Sequence, residues 1–249
     1  MKALITGASS GIGEEFARNL SKDGHSVILV ARRIDRLKSL KAELSGNIEI
    51  FEADLSNEYE VKNLYEALKD KNIDIVINNA GFGALGNFCD IPLKRELEMI
   101  DTNIKAVHIL TKLFLKDFIE KDHGYILNVS SIAGFFSGPH LATYYATKAY
   151  VLTLTESIYG ELKEKNSNVY IGALCPGPVK TEFDMVANVK FSLKGSSASY
   201  VAKYALKKMF KKKTIILPTF SVKLSVFFSR FAPRKLLLKI VSHSQTKKM

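Results

Sequence analysis

The stretch KALITGASSGIG, residues 2–13, decides how the rest of the chain is read. An apolar run, KALIT, stops at a turn carrying Gly7, Gly11 and Gly13, and a helical pattern, EEFARNLSKDG (14–24), follows at once. Glycines in such a turn let the backbone approach a pyrophosphate. The helix N-terminus then aims amide groups and its positive dipole end at the phosphates. Ser9, Ser10 and Ile12 share the loop. A glycine-rich turn alone is equally a plain structural turn; the strand–turn–helix setting favours dinucleotide binding.

Outward from this unit the same grammar repeats. Further strand candidates are SVILVA (26–31), NIEIF (47–51), IDIVIN (73–78), GYILNV (124–129), VYIGAL (169–174) and TIILP (214–218). Most are apolar on both parities, as expected of parallel strands covered on both faces. Helical segments such as VKNLYEALKD (61–70) fit between them. The alternation predicts an α/β fold: a doubly wound, Rossmann-type parallel sheet of about seven strands, in one domain spanning 1–249. The least regular part, 182–198, reads as a substrate loop, and 203–249 as a basic C-terminal extension.

The second strand ends in VARRID. A dinucleotide site that prefers NADH places an acid there for the ribose 2′-hydroxyl. Arg32 and Arg33 stand instead, and guanidinium groups suit an added 2′-phosphate. The expectation is NADP(H) over NAD(H). The plain alternative is two solvated surface charges.

The chain has 249 residues, is 47% hydrophobic and 24% charged, and carries a net charge of +11. Of 36 basic residues, 15 lie in 185–249, which has no Asp or Glu; the other 21 face all 25 acidic residues in 1–184, a net of −4 there. The basic character therefore belongs to the last quarter. Two distant cysteines, Cys89 and Cys175, make no disulfide framework and fit a reducing, cytoplasmic setting. No His/Cys cluster suggests a metal. The first strand pattern begins at residue 2, so no signal core is expected ahead of it, and no run of about 18 apolar residues predicts a spanning helix.

Several further motifs now fall in order. DL (54–55) follows the third strand, and NNAG (78–81) ends the fourth. Asn103 sits in DTNIKA, Ser131 in NVSSIAG, Tyr144 and Lys148 in TYYATKAY, and PGPVKT spans 176–181. With TGASSGIG these residues resemble the short-chain dehydrogenase/reductase family, in its form of about this subunit length, from residue 2 to about 182. The resemblance implies cofactor contacts from the glycine turn, from Asp54 and Leu55, from Asn79, Ala80 and Gly81, and from Pro176, Gly177, Val179 and Thr181. It implies a catalytic set of Asn103, Ser131, Tyr144 and Lys148, with Lys148 also bonding the nicotinamide ribose. It implies a homodimer or homotetramer through helices near 95–120 and 142–165. Ala106 departs from the glycine that often ends the asparagine motif, and the basic C-terminal segment lies outside the family pattern.

The chemistry follows from residue types. Tyrosine titrates near 10 in water, and a nearby cation favours tyrosinate. Tyr144 would be the general acid in reduction and base in oxidation, Ser131 would hold the substrate oxygen, and Asn103 would position a water linking Lys148 to solvent. Singly, each has a plain reading as a strand-end hydroxyl, a surface amide or a solvated lysine. Tyr145 also lies on the face of Lys148, so spacing alone does not choose between the tyrosines; the family motif chooses Tyr144. Phe135, Phe136, Phe183, Met185 and Phe191 suggest an apolar substrate pocket, or simply core. The substrate class is a carbonyl or alcohol, 3-oxoacyl thioesters included; a non-catalytic dinucleotide sensor or membrane-docking protein on the same fold is the alternative.

The basic segment has three readings: solvated faces of core or interface helices, peripheral contact with anionic membranes, or docking of an acidic carrier protein or coenzyme A. Nucleic acid is not expected, because the body is net acidic and carries no recognition motif. Pro233 is expected to open a last helix, RKLLLKIV.

Overall fold

Strands apolar on both faces must be covered on both faces, and the computed structural model, which describes residues 1–187 and 195–246, meets that demand with two helical layers. The first half runs β1 (Lys2–Thr6), α1 (Gly11–Lys22), β2 (Ser26–Ala31), α2 (Ile34–Glu43), β3 (Ile48–Glu52), α3 (Glu58–Leu68) and β4 (Ile75–Asn78). Then come α4 (Leu93–Ile100), a π-helical turn (Asp101–Ala106), α5 (Val107–Lys121), β5 (Tyr125–Val129), a short 3-10 helix (Ile132–Phe135), α6 (Ala142–Glu164) and β6 (Tyr170–Leu174). The last part holds β7 (Val179–Lys180), α7 (Phe183–Val186), β8 (Ser196–Ser197), α8 (Ala198–Met209), β9 (Ile215–Ile216), α9 (Phe220–Ser229) and α10 (Arg234–Thr246).

Seven strands form a parallel sheet in the order β3-β2-β1-β4-β5-β6-β9. The chain winds outward from β1 in one direction, then crosses back to β4 and winds in the other. This reversal leaves a crevice beyond the C-terminal ends of β1 and β4, where ligands bind in such sheets. Successive residues of β1 serve opposite layers: Ala3 and Ile5 pack with Phe16 and Leu20 of α1, and Leu4 packs with Leu64 of α3 and Phe114 of α5. A buried polar chain ties the centre. Asn78 Nδ2 donates to Asn128 Oδ1 at 2.8 Å and to Thr111 Oγ1 at 3.1 Å, and Asn128 Nδ2 donates to Thr155 Oγ1 at 3.0 Å.

Two differences from the sequence expectation concern the C-terminal part. The basic stretch from 203 is not wholly an extension. Val201, Ala205, Leu206 and Met209 of α8 belong to the core against α1, and β9 is the sheet's seventh strand. Lysines dominated the composition there, but they occupy the outer face of a helix whose inner face is apolar. Only α9 and α10 extend beyond the sheet. Within 182–198, α7 and β8 are regular, and β8 pairs with β7. Phe191 lies outside the described residues.

Candidate active site

The turn after β1 is shaped by backbone demands. Gly7 and Gly11 have φ of +66° and +60°, the left-handed region that glycine adopts without steric cost. Gly13 has a different task. A Cβ there would collide with the Gly7 carbonyl oxygen and sit 2.5 Å from Asn79 Nδ2. The turn is stitched to the end of β4: Thr6 Oγ1 accepts from the amides of Asn79 and Ala80 at 2.9 and 3.1 Å, and Asn79 Nδ2 donates to the Thr6 carbonyl at 2.9 Å. The two sides of the crevice are thus held in fixed register.

A cleft of about 390 Å³ opens here. Gly7, Ser9, Ser10, Gly11, Ile12, Arg32, Arg33, Asp54, Leu55, Asn79, Ala80, Gly81, Ser131, Tyr144, Lys148, Pro176, Gly177, Val179 and Thr181 all line it. Two expected residues stand behind it. Gly13 serves close packing. Asn103 is fully buried on the π-helical turn, where its Oδ1 accepts from Phe82 N at 3.0 Å and its Nδ2 donates to Phe82 O at 2.8 Å and to Thr147 Oγ1 at 3.1 Å. Its side chain is a clamp on the loop after Gly81, so a water-positioning role would fall to its main chain.

At one end of the cleft Arg33 reaches back over the turn, donating to Ser9 Oγ at 3.1 Å and Ser10 Oγ at 3.0 Å. Its other nitrogen pairs with Glu182 at 2.8 Å, and Arg36 pairs with the second oxygen of the same carboxylate. Arg36 and Arg33 together hold the Glu182 carboxyl below its ordinary pKa. Arg32 lies 4.0 Å from Asp54.

At the other end Tyr144, Ser131 and Lys148 converge. Ser131 and Tyr144 both line the cleft, and Ser131 is near enough to lower the phenol's pKa. Ser131 also caps the short 3-10 helix, accepting from Ala133 N at 3.1 Å. Lys148 Nζ donates to the Val129 carbonyl at 2.9 Å and lies 5.8 Å from the Tyr144 ring centre. The expected lowering of the Tyr144 pKa by this lysine does not appear in the chain alone. Burial raises Tyr144 to about 12, opposed by the nearby Ser131 hydroxyl, and burial lowers Lys148 to about 8. Desolvation outweighs the pairing because the ammonium points at a carbonyl and not at the phenol.

The family model described as short chain dehydrogenase matches residues 1–190. The chain belongs to the short-chain dehydrogenase/reductase family. It is 37% identical over 190 residues to a 3-oxoacyl-(acyl-carrier-protein) reductase of Rickettsia prowazekii, covering 76% of each chain. It is 36% identical over 198 residues to an NADP-dependent 3-hydroxy acid dehydrogenase of Escherichia coli O6:H1, covering 77% of each. A short-chain dehydrogenase from Sphingobium yanoikuyae, solved in complex with NADPH, superposes with a TM-score of 0.84 at 28% identity, over 92% of this chain and 93% of that one. This member of the short-chain dehydrogenase/reductase family is thus an oxidoreductase on the family's Rossmann-like fold.

Among the cleft residues of this dehydrogenase/reductase that the sequence reading did not single out are Glu182 and Gln245. Gln245, on α10 and beyond the matched region, is buried in the cleft lining and donates to the Tyr145 hydroxyl. Nothing local marks either; both arrive by long-range folding. Tyr145 is accordingly a cleft residue and not mere packing, and its ring fills the space a Cβ at Gly138 would need. Of the proposed pocket phenylalanines among the described residues, Phe183 is placed there and Phe135 and Phe136 are not; the Phe183 ring centre is 5.3 Å from that of Tyr144. Phe135 packs toward Leu152 and Cys175, Phe136 is half-buried outside the lining, and Met185 is 76% exposed.

Proposed function

We propose that the protein is an NADP(H)-preferring oxidoreductase that reduces a ketone or aldehyde to an alcohol, with Tyr144 as general acid. The observation that carries this reading is the joining of two chemistries in one cleft. A Tyr144–Ser131–Lys148 cluster occupies one end, and a glycine turn with Arg32 and Arg33 occupies the other. The turn suits a pyrophosphate, since Gly7 and Gly11 hold it in the left-handed region and it leads directly into the N-terminus of α1. Arg32, Arg33 and the Ser9 and Ser10 hydroxyls would hold a ribose 2′-phosphate.

When bound, the nicotinamide would supply the hydride. Tyr144 gives its phenolic proton to the carbonyl oxygen, and Ser131 donates a hydrogen bond to the same oxygen as negative charge develops there. A phenol raised to about 12 is fully protonated near neutral pH, the form reduction requires. Lys148, lowered to about 8, exchanges protons readily in that range. The Rickettsia prowazekii relative makes 3-oxoacyl thioesters one substrate class to include. Exposed Leu97, Ile119 and Tyr150, on α4, α5 and α6, support assembly of two or four subunits through those helices.

The test is a panel of ketones, aldehydes and 3-oxoacyl thioesters, with NADPH or NADH consumption followed by absorbance. Turnover with NADPH above NADH is expected. Faster turnover with NADH removes the cofactor preference, and no turnover with any carbonyl removes the catalytic reading.

A further inference from the structure

We propose that the outer face of α9 and α10 is a docking surface for an anionic lipid bilayer. The inner face of α9 is committed to the body: Val222 and Val226 are buried, and a Cβ on Gly177 would lie 2.8 Å from Val222. The outer face is not. Phe220 is 77% exposed, Phe231 73%, Phe228 58% and Phe227 54%, proportions at which these rings are uncovered by any part of the chain described. Phe227 stacks edge-on with Phe228 and Phe231, with centres 5.5 and 5.4 Å away, so the rings form one cluster. On α10, exposed Leu236 and Ile240 share one face, four residues apart. An exposed aromatic cluster of this kind marks an interaction site.

The charges choose the occupant. Arg230, just past α9, and Arg234, Lys235 and Lys239 of α10 are all exposed, Lys223 is engaged with Tyr204 of α8, and residues 195–246 contain no Asp or Glu. A second copy meeting this face by two-fold symmetry would set the cations of one chain against those of the other with no acid between them. An acidic protein would satisfy the cations but would have to cover three clustered phenylalanine rings as well. An anionic bilayer supplies both halves at once, headgroup charge for the lysines and acyl chains for the rings. Among the described residues no helix is long and apolar enough to cross a membrane, so the contact is one of lying on the surface.

The experiment is sedimentation of the full-length protein with phosphatidylcholine vesicles, with and without phosphatidylglycerol, and needs no substrate or cofactor. Pelleting with the anionic vesicles, at least about tenfold stronger than with neutral ones and weakened by salt, is expected. Phe228→Ser with Phe231→Ser, and separately Lys235→Glu with Lys239→Glu, should each lower binding at least about tenfold. All four positions are exposed, and unchanged circular dichroism verifies the fold. Equal pelleting with both vesicle types, no pelleting, or binding indifferent to both variants overturns the proposal. So does a dimer in analytical ultracentrifugation that dissociates on Phe228→Ser, which would assign the face to a second copy. Capture of an acidic carrier protein without vesicle binding would assign it to that partner and likewise overturn the proposal.

Discussion

Glu182 and Arg33 form an ion pair at 2.8 Å that bridges the cofactor cleft from the β7 side to the glycine turn, with Arg36 closing on the same carboxylate. The pair occupies the guanidinium that a 2′-phosphate would need, so the two compete. Both partners are substantially exposed, and such pairs are worth up to about 1 kcal/mol. Glu182→Gln should therefore tighten NADPH binding by about threefold and change NADH binding little. Arg33→Ala should weaken NADPH about tenfold or more while sparing NADH, because charge-assisted bonds to phosphate are lost. Titration calorimetry with both cofactors reads this; equal losses for the two would show that Arg33 does not discriminate.

The two adjacent tyrosines separate by their partners. Tyr144 faces Ser131, and Tyr145 is held by Gln245. Tyr144→Phe removes the proposed proton donor and should lower kcat by about 10²–10⁴-fold with NADPH affinity nearly unchanged. Tyr145→Phe should retain most turnover and lose about 1 kcal/mol of stability with its hydrogen bond to Gln245. Steady-state kinetics of the pair, beside urea titrations, decide. The reverse pattern would move the acid by one residue.

Lys148 leaves a signature in stability. Burial lowers its pKa from 10.5 to about 8, so between those values the unfolded chain binds more protons than the folded one. Stability attributable to this group then rises with pH across about 8 to 10.5. Lys148→Met removes the buried charge. The variant's stability relative to wild type should be most favourable below pH 8, where the wild-type ammonium is buried and charged, and should shrink toward pH 10.5. Urea midpoints of both proteins across that range test it; a difference independent of pH would contradict the lowered pKa.

Asn103 predicts a structural loss. Its amide satisfies the Phe82 main chain in both directions and Thr147 as well, all out of water. Asn103→Ala leaves buried polar groups unpaired and should cost about 3 kcal/mol. It should also lower turnover by loosening the loop that follows Gly81. Thermal unfolding measures the first effect. A loss of activity with unchanged stability would point to a direct role for the amide in the chemistry.

Much of this molecule was legible one residue at a time. Parallel strands buried on both faces read as Val/Ile runs, so all seven strands of the sheet emerged within about two residues of their observed bounds. The cofactor turn, Tyr144 and Lys148 are local motifs, and local motifs survive in one dimension because their geometry is set within one turn of helix or one loop. The residues that escaped are those whose neighbours lie far along the chain. Glu182 meets Arg33 across 149 positions, and Gln245 meets Tyr145 across 100. The lysines of α8 likewise hid an apolar inner face that only packing against α1 made visible.

Period, backbone freedom and side-chain chemistry are properties of short segments, so the strand–helix alternation, the glycine turn and a set of candidate reacting groups could be read from the sequence alone. The tertiary structure decided that Tyr144 sits raised toward 12 by burial and that Lys148 spends its ammonium on the Val129 carbonyl. It decided too that α10 returns to place Gln245 in the cleft and leaves a row of phenylalanines outside. Desolvation and long-range contact depend on what the rest of the chain brings alongside, and no short window of sequence contains that.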